Sequence, residues 1–114
     1  MRVIDTAPLG VAGSRNPTVL RIYGDIDLYT SVTLREELLS ALSYSNSMLV
    51  LDLSEVTFCD AAGLAVLVDV QQRARPMGIT LALAEPRPFM TRLLRITGLD
   101  RALPTMSRVP PSAA

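Results

Sequence analysis

The chain is 114 residues long, carries a formal net charge of zero, and is 49% hydrophobic and 19% charged. These values are typical of one soluble globular domain with a single core, and no basic cluster occurs that would support nucleic-acid binding. No stretch approaches the roughly 20 uncharged apolar residues that cross a bilayer, so direct membrane insertion is not expected.

The amino-terminal segment begins with a short strand and a loop. Residues 2–4 are predicted to form an edge strand, and the turn-rich residues 6–17 form a loop. The next stretch, Thr18 to Gly24, is rich in Val, Ile and Tyr and therefore favours a strand. Because side chains alternate along a strand, Leu20 and Ile22 share one of its faces.

A predicted helix follows an acidic exit from this strand. The exit is Gly24 to Asp27, and either Asp27 or Thr30 is suited to cap the helix, which extends to about Ser43. Apolar residues recur in this helix at i, i+4, i+7 and i+8. This period predicts an inward face made of Leu34, Leu38, Ala41 and Leu42.

The central stretch, residues 48–72, combines a buried strand with a second helix. Residues 48–51 are a continuous apolar run, as expected of a strand covered on both faces in a parallel sheet. Asp52 is predicted to end this strand. Residues 54–55 then turn the chain towards a second apolar segment, residues 56–59.

The second helix is predicted to open at Asp60, whose carboxylate can accept the free backbone N–H groups of Ala62 or Gly63 and suits the positive end of the helix dipole. At about 100° per residue, one side of the helix carries Leu64, Leu67, Val68 and Gln71, with Ala61 near its edge. The opposite, outward side carries Ala62, Val66, Asp69 and Arg73, and the last two form an i,i+4 ion pair. The outward Ala62 and Val66 are either incidental surface residues or a docking position for another protein.

The last third of the chain repeats the alternation of strand and helix. Residues 75–78 stop the second helix, and residues 79–84 form another buried strand. A third helix opens near Pro88 and ends at Gly98, with an apolar stripe of Phe89, Leu93 and Ile96. Residues 99–103 add one last turn, and the chain from Pro104 onward is expected to fray.

The order of these elements predicts the fold class. Helices that lie between strands favour βαβ crossovers, so we expect an α/β domain with a mixed, mostly parallel sheet of about four or five strands and about four helices. Residues 1–17 are the edge strand and loop, residues 18–106 the domain proper, and residues 107–114 a flexible tail.

The residue types narrow the chemistry of the chain. It has no histidine, which excludes Ser-His and Cys-His nucleophiles and His-based metal sites. Neither a Walker-type nor a dinucleotide-binding glycine motif occurs. The single cysteine, Cys59, and a start of the chain without an apolar signal region indicate a cytoplasmic protein. Catalysis by carboxylates alone remains possible, but nothing in the sequence requires it. We expect no metal or cofactor.

Five short motifs, in order and in register, resemble the STAS domain of anti-sigma factor antagonists. The resemblance covers roughly residues 18–106 and is carried by Gly24-Asp25-Ile26-Asp27, Leu51-Asp52-Leu53-Ser54, Val56-Thr57-Phe58, Asp60-Ala61-Ala62-Gly63-Leu64 and Thr97-Gly98-Leu99-Asp100. It implies a non-enzymatic switch. The unphosphorylated domain binds a kinase-like anti-sigma factor, which then releases a sigma factor, and phosphorylation of a Ser or Thr at the helix start ends the binding.

The chain departs from this family at the phosphate acceptor. The family pattern is Asp, then Ser or Thr, a small residue, Gly and Leu, but here Ala61 occupies the acceptor position and Ala62 follows it. Neither side chain has a hydroxyl. Our hypothesis is that the docking surface persists in a permanently unphosphorylated, binding-competent form.

The resemblance and the helix faces together predict the partner-binding surface. It consists of Asp25, Asp27, Thr30, Asp60, Ala61, Ala62, Gly63, Val66, Asp69 and Arg73. The expected partner is an anti-sigma factor with a kinase-like ATPase fold, and self-association into a homodimer is left open.

Several of these residues have a second interpretation. Ser54 and Thr57 are either substitute phosphate acceptors or, the favoured interpretation, hydrogen-bonding residues of a turn or strand. Cys59 is either a redox-sensitive thiol or, as we favour, a buried packing residue. Four acids could gather a divalent cation, but capping and turn roles explain each of them: Asp25, Asp27, Asp52 and Asp60.

Two other functions are weighed against the anti-sigma factor antagonist. A STAS-like accessory subunit that docks on the ATPase of a phospholipid ABC transporter accommodates Ala61 easily, because it requires no phosphorylation cycle. A carboxylate-based hydrolase is the third class, and nothing in the sequence requires it. The ATPase recovered with the protein would separate the first two functions.

Overall fold

The computed structural model describes residues 1–5 and 17–110. Residues 6–16 of the loop predicted over residues 6–17, and the last four residues of the predicted tail, lie outside the described residues. The helices are α1 (Ser31–Leu42), α2 (Ala61–Ala74) and α3 (Pro88–Thr97). The strands are β1 (Arg2–Asp5), β2 (Thr18–Ile26), β3 (Met48–Cys59), β4 (Thr80–Ala84) and β5 (Thr105–Met106).

The five strands form one sheet in the order β1-β2-β3-β4-β5. β1 pairs with β2 in the antiparallel direction, and all other neighbours are parallel, as helical crossovers require. This confirms the mixed, mostly parallel sheet, with three α-helices in the described residues where about four were expected. The predicted last turn is a three-residue 3₁₀ turn, Leu99–Arg101, and a second one, Arg75–Met77, ends α2.

All three helices lie on the same face of the sheet, because their buried side chains belong to one core cluster with the same strand residues. The cluster includes Leu34 and Leu38 from α1, Leu67 and Val70 from α2, and Met90 and Leu94 from α3, together with Leu20, Ile22, Leu49, Leu51, Leu81 and Leu83. The other face carries a smaller cluster of Val19, Val50 and Ala84. The predicted inward face of α1 and the shared face of Leu20 and Ile22 are confirmed.

β3 continues through the position where it was predicted to end. Asp52 lies inside a 12-residue strand and is buried, and residues 54–55 do not turn the chain. Asp52 is tolerated there because Arg21 Nε donates to its Oδ2 at 2.7 Å, while the Ser54 N–H and hydroxyl donate to its Oδ1 at 3.0 and 2.7 Å. A buried carboxylate with these partners does not have to leave the sheet.

β2 also runs past its predicted end at Gly24. The strand extends to Ile26, and its pairing with β3 shifts register twice, once on each side of Tyr23 and Gly24. Gly24 has φ +87°, a conformation that L side chains rarely adopt, so glycine permits the second irregularity. The acidic exit therefore begins later, at Asp27.

The chain beyond Pro104 is not frayed where the structure describes it. Thr105 and Met106 add β5 to the free edge of β4, and the Leu83 N–H donates to the Pro104 carbonyl at 2.8 Å. The Glu85 N–H likewise donates to the Met106 carbonyl at 2.9 Å. β5 pairs with the backbone N–H and C=O groups at the edge of β4, which would otherwise be unpaired. The sequence pattern alone did not reveal this pairing.

α3 is turned relative to its predicted apolar stripe. Met90 and Leu94 are the buried residues, Phe89 and Leu93 are half-buried, and Ile96 is 74% exposed. Gly98 ends the helix at φ +74°, as its predicted position required.

The pKa of Asp52 gives the fold a specific acid sensitivity. Burial opposes the charge of this carboxylate, but the hydrogen bonds from Ser54 and the Arg21 guanidinium outweigh burial and lower the pKa of Asp52. The ionised carboxylate therefore stabilises the fold at pH values above about 3.9, which is the pKa of an Asp side chain in the unfolded chain. This contribution is lost as the pH falls through the lower pKa that Asp52 has in the folded chain.

We expect Asp52→Asn to lower the free energy of unfolding by about 1–3 kcal/mol at neutral pH. The difference from the wild type should shrink between about pH 5 and pH 2, because the wild type loses its contribution there. Urea unfolding at several pH values measures both effects, with the exposed Asp100→Asn as a control. A constant difference at all pH values would contradict this role of Asp52.

Candidate functional site

The carboxyl ends of β2 and β3 meet at one edge of the sheet, where α1 and α2 begin. Asp25 lies opposite Phe58 in the parallel pair, and the Asp60 N–H donates to the Ile26 carbonyl at 3.1 Å. The Thr57 hydroxyl also donates to Asp25 Oδ1 at 2.6 Å. In parallel α/β sheets, ligands and partners commonly bind outside this edge.

Asp60 caps α2 as predicted. Its Oδ1 accepts the Gly63 N–H at 3.1 Å, and the helix begins at Ala61. The methyl group of Ala61 is exposed, and that of Ala62 is half-buried. The helix start is therefore open to a partner, and no other described part of the chain covers Ala61.

Gly63 lies beneath this surface instead of on it. A Cβ at this position would lie 2.6 Å from Ile26 Cγ2 and 2.8 Å from Cys59 Sγ, closer than real side chains approach. Gly63 therefore allows the first turn of α2 to rest directly on the ends of β2 and β3. Its contribution to the site is to position Ala61 and Ala62.

Asp27 and Thr30 close the loop that precedes α1. Asp27 Oδ1 accepts the N–H groups of Tyr29 and Thr30, both at 2.9 Å, and Thr30 Oγ1 accepts the Asp27 N–H at 2.8 Å. The hydrogen bond from the Thr30 N–H is the main reason why the pKa of Asp27 is lowered. Both residues thus act on the loop, and Thr30, although it occupies the N-cap position, makes no side-chain cap to α1.

Large apolar side chains are exposed at this closed loop and beside it. Leu28 and Tyr29 lie within the stretch Asp25 to Thr30 that the sequence predicts as contact surface, whereas Val32 and Phe58 were not predicted as site residues. These four side chains are between 48% and 88% exposed. Leu28 and Tyr29 come from the loop, Val32 from the first turn of α1, and Phe58 from the end of β3. Contiguous exposed apolar side chains are a feature of many protein-binding surfaces. The signal in the sequence was the pair Leu28-Tyr29 between two turn-forming polar residues, and Phe58 two residues before a helix cap.

The predicted outward side of α2 is wrong for Val66. This side chain is only 8% exposed and belongs to the main core cluster. The reason is that α1 packs along this side of α2, where Arg35 of α1 approaches Asp69 Oδ2 at 2.5 Å. Arg73 also pairs with Asp69, at 3.4 Å, so the predicted i,i+4 pair exists. Asp69 and Arg73 therefore border α1, with Asp69 half-buried and Arg73 exposed.

The open stripe of α2 consists instead of residues at i, i+4, i+7 and i+11. These are Ala61, Ala65, Val68 and Gln72, of which Val68 is half-buried and the others are exposed. They line a shallow, mainly apolar groove of about 420 Å³, together with Thr97 at the end of α3 and Leu99 in the following turn. We call this feature the α2–α3 groove. It starts at the acceptor position, Ala61.

The other polar candidates are engaged in local hydrogen bonds. The hydroxyls of Ser54 and Thr57 donate to Asp52 and Asp25, at 2.7 and 2.6 Å, as the hydrogen-bonding interpretation expects. Within residues 1–5 and 17–110, no group of three or more His, Cys, Asp or Glu side chains is arranged to hold a metal ion. Across the same residues, no helix is both long and apolar enough to cross a membrane.

Cys59 is a buried packing residue. Burial, with a smaller effect from the neighbouring Asp60 charge, raises the pKa of its thiol to about 12. The nucleophilic thiolate is therefore scarce at neutral pH, and this does not favour a redox-sensitive role.

Comparisons with known proteins agree with this fold. The family model described as "Mlab, STAS domain" matches residues 9–106. The chain is 33% identical over 89 residues to the anti-sigma-B factor antagonist of Bacillus subtilis, a match that covers 78% of this chain and 81% of that protein. It is 28% identical over 101 residues to the anti-sigma-F factor antagonist RsfB of Mycobacterium tuberculosis, covering 89% of this chain and 82% of RsfB.

A solved structure shows the same fold. The anti-sigma factor antagonist SpoIIAA in its unphosphorylated form superposes with a TM-score of 0.68 at 16% identity, over 83% of this chain and 84% of SpoIIAA. At this identity the likeness concerns the fold alone.

The contact beneath Gly63 predicts a marked cost for one added methyl group. We expect Gly63→Ala to lower the free energy of unfolding by about 1–3 kcal/mol, because Ile26 and Cys59 must shift. The exposed Ala65→Ser is the control and should change it by no more than about 0.5 kcal/mol. If urea unfolding gave the two variants equal stability, the close contact would not be present in solution.

The raised pKa of Cys59 predicts slow alkylation of the native protein. At pH 8 we expect iodoacetamide to react roughly a thousandfold more slowly with the folded chain than with the chain in denaturant, where the thiol pKa returns to about 8.5. Mass spectrometry of timed samples measures both rates. Native labelling within tenfold of the unfolded rate would show that Cys59 is accessible and ionised.

Proposed function

The chain belongs to the STAS domain family, in its anti-sigma factor antagonist branch, and from that membership we propose that it binds a kinase-like anti-sigma factor and thereby frees a sigma factor. It acts in this proposal as a regulatory binding module and not as an enzyme. The curated relatives are named as anti-sigma factor antagonists, and the chain covers about four fifths of their length.

The observation that carries the proposal is the open start of α2. Ala61 is exposed directly after the capping Asp60, and the apolar side chains of Leu28, Tyr29 and Phe58 lie at the same edge of the sheet. The uncharged Ala61 beside exposed apolar groups suits the centre of a protein interface, where charged residues are depleted. The acids Asp25 and Asp27 supply a polar rim to this surface.

The carboxylates at this edge support binding over catalysis. Asp60 caps α2, Asp27 closes the loop before α1, and Asp25 accepts the Thr57 hydroxyl. Each therefore has a structural hydrogen bond that explains its presence. A hydrolase would need a carboxylate directed towards a substrate. The structural hydrogen bonds of these three carboxylates explain their presence without such a catalytic role.

The alanine at position 61 removes the switch that the family uses there. A phosphate adds roughly −1.5 to −2 charge at neutral pH, and here it would stand next to Asp60 on the docking surface. Like charges forced together at an interface cost several kcal/mol, which is enough to release a partner. Since Ala61 has no hydroxyl to phosphorylate, we propose that the surface remains competent to bind.

A second candidate function follows from the same alanine. A STAS accessory subunit that docks on the ATPase of a phospholipid transporter would need no acceptor, so an exposed, unmodified helix start is compatible with it. Purification of the tagged protein from its own cells, with mass spectrometry of the bound ATPase, separates the two. A kinase-like anti-sigma protein supports the first function and a transport ATPase the second.

A charge at position 61 should reproduce the effect of a phosphate. We expect Ala61→Asp to weaken binding of the kinase-like anti-sigma factor by about 100-fold or more, while the isosteric, neutral Ala61→Asn weakens it by less than about tenfold. Isothermal titration calorimetry measures both affinities. Because the two side chains have the same size, their difference isolates charge.

Thermal unfolding of both variants controls for folding, since residue 61 is exposed. Equal binding by Ala61→Asp and Ala61→Asn would refute a charge-sensitive interface at the helix start.

A further inference from the structure

The zero net charge of the chain conceals two oppositely charged regions. Eight of its 11 acidic residues lie at or before Asp60, whereas seven of its 11 basic residues, all of them arginines, lie from Arg73 onward. On the helical face, this division appears in the charges of the two outer helices, α1 and α3. Charge segregation of this kind directs how proteins orient on contact.

The helical face presents these charges in a defined order. α1 exposes Glu36 and Glu37, and its only arginine, Arg35, is paired with Asp69 of α2. α3 exposes Arg92 and Arg95 and contains no acidic residue. α2 lies between them, because α1 packs on one of its sides and the α2–α3 groove opens on the other.

The middle of this face carries no net charge: Asp69, which also lines the α2–α3 groove, is paired with Arg35 and Arg73, and the rest of the groove lining is uncharged. The open stripe of α2 follows the i, i+4, i+7, i+11 spacing that is typical of helix–helix seams, with Ala61 and Ala65 small enough to permit close approach. Beside the stripe, the α2–α3 groove of about 420 Å³ has space for a partner's side chains. Exposed Val32 on α1 and Ile96 on α3 flank it with further apolar area.

Two copies that face each other through this surface can be related by a two-fold axis that runs either along α2 or across it. Only one of these two axes brings opposite charges together. An axis along α2 sets α1 of one copy opposite α3 of the other, so that the glutamates meet the arginines twice. An axis across α2 sets α1 against α1 and α3 against α3, so that like charges meet. The molecule's extents of 38, 26 and 25 Å leave room on one face for the roughly 800 Å² per partner that a stable interface buries.

We infer that two copies associate through this face, with their α2 helices parallel across a two-fold axis and α1 of each copy against α3 of the other. The dimer covers Ala61, so it competes with the anti-sigma factor for the same surface. The competition with the anti-sigma factor rests on the proposed function. Protein concentration then sets the fraction of free docking surface, a regulation that requires no hydroxyl at position 61.

A charge-swap experiment tests the pairing of α1 with α3. Glu36→Arg with Glu37→Arg makes both outer helices basic, and Arg92→Glu with Arg95→Glu makes both acidic, so each double variant should self-associate at least about tenfold more weakly than the wild type. An equimolar mixture of the two should form a heterodimer. The chain that carries all four changes should recover the homodimer.

Sedimentation equilibrium measures each association up to about 1 mM protein. Arg108→Glu, an exposed change beyond β5, is the control and should leave the dimer unchanged. A wild type that stays monomeric over this range overturns the inference. Two double variants that fail to associate when mixed overturn the pairing of α1 with α3.

A cross-link tests the direction of α2 independently. Under the axis along α2, residue 65 of one copy meets residue 65 of the other, so Ala65→Cys should give a disulfide-linked dimer when diamide oxidises the two thiols. The buried Cys59 does not interfere, because its thiol stays protonated. The exposed Thr80→Cys, at the start of β4, is the matched control and should cross-link far more slowly. Equal cross-linking of both variants would reflect random collisions and contradict the parallel arrangement.

These experiments contain no anti-sigma factor, so their outcome is separate from that of the proposed function. A dimer that binds no anti-sigma factor contradicts the proposed function and leaves the self-association standing. A monomer that binds an anti-sigma factor contradicts the self-association and leaves the proposed function standing. If both hold, adding the anti-sigma factor should lower the yield of the residue 65 cross-link, and an unchanged yield would show that the two surfaces differ.

Discussion

The seating of α2 on the ends of β2 and β3 is the contact on which the rest of the site depends. Gly63 has no side chain to separate the helix from Ile26 and Cys59. The Asp60 N–H donates a hydrogen bond to the Ile26 carbonyl, and the Asp60 carboxylate caps the first turn of the helix. These contacts set both the position and the rotation of the helix. Because rotation decides which residues face solvent, they place Ala61 and Ala65 outward and Val66 in the core.

Local signals made the larger part of this arrangement predictable from the sequence. The N-cap at Asp60, the helix end at Gly98 and the apolar periods of α1 each depend on neighbouring residues, and the structure confirms them. The errors arose where the deciding partner is distant along the chain. Asp52 stays in β3 because Arg21 neutralises it, and Val66 is buried because α1 lies beside it. A single-helix period cannot reveal the helices on its two sides, and the edge of β4 gave no sign that β5 would pair with it.

The chemistry of the site follows from what the helix start lacks. With a hydroxyl, the exposed position after Asp60 could alternate between a neutral and a strongly anionic state, and binding would alternate with it. With Ala61, no phosphate can be added at this position. In the function that we propose, control comes from competition for the surface instead of from its modification. The competitor that we infer is a second copy of the chain, because acidic α1 and basic α3 lie on either side of α2.

The central claim is that a partner binds the open start of α2, and amide chemical-shift mapping tests it most directly. The nitrogen-15-labelled chain would be titrated with the kinase-like anti-sigma factor while backbone resonances are followed. The account predicts that the largest changes cluster in residues 27–32 and 58–68. Changes concentrated around Val19, Val50 and Ala84, on the opposite face of the sheet, with α2 unaffected, would contradict it.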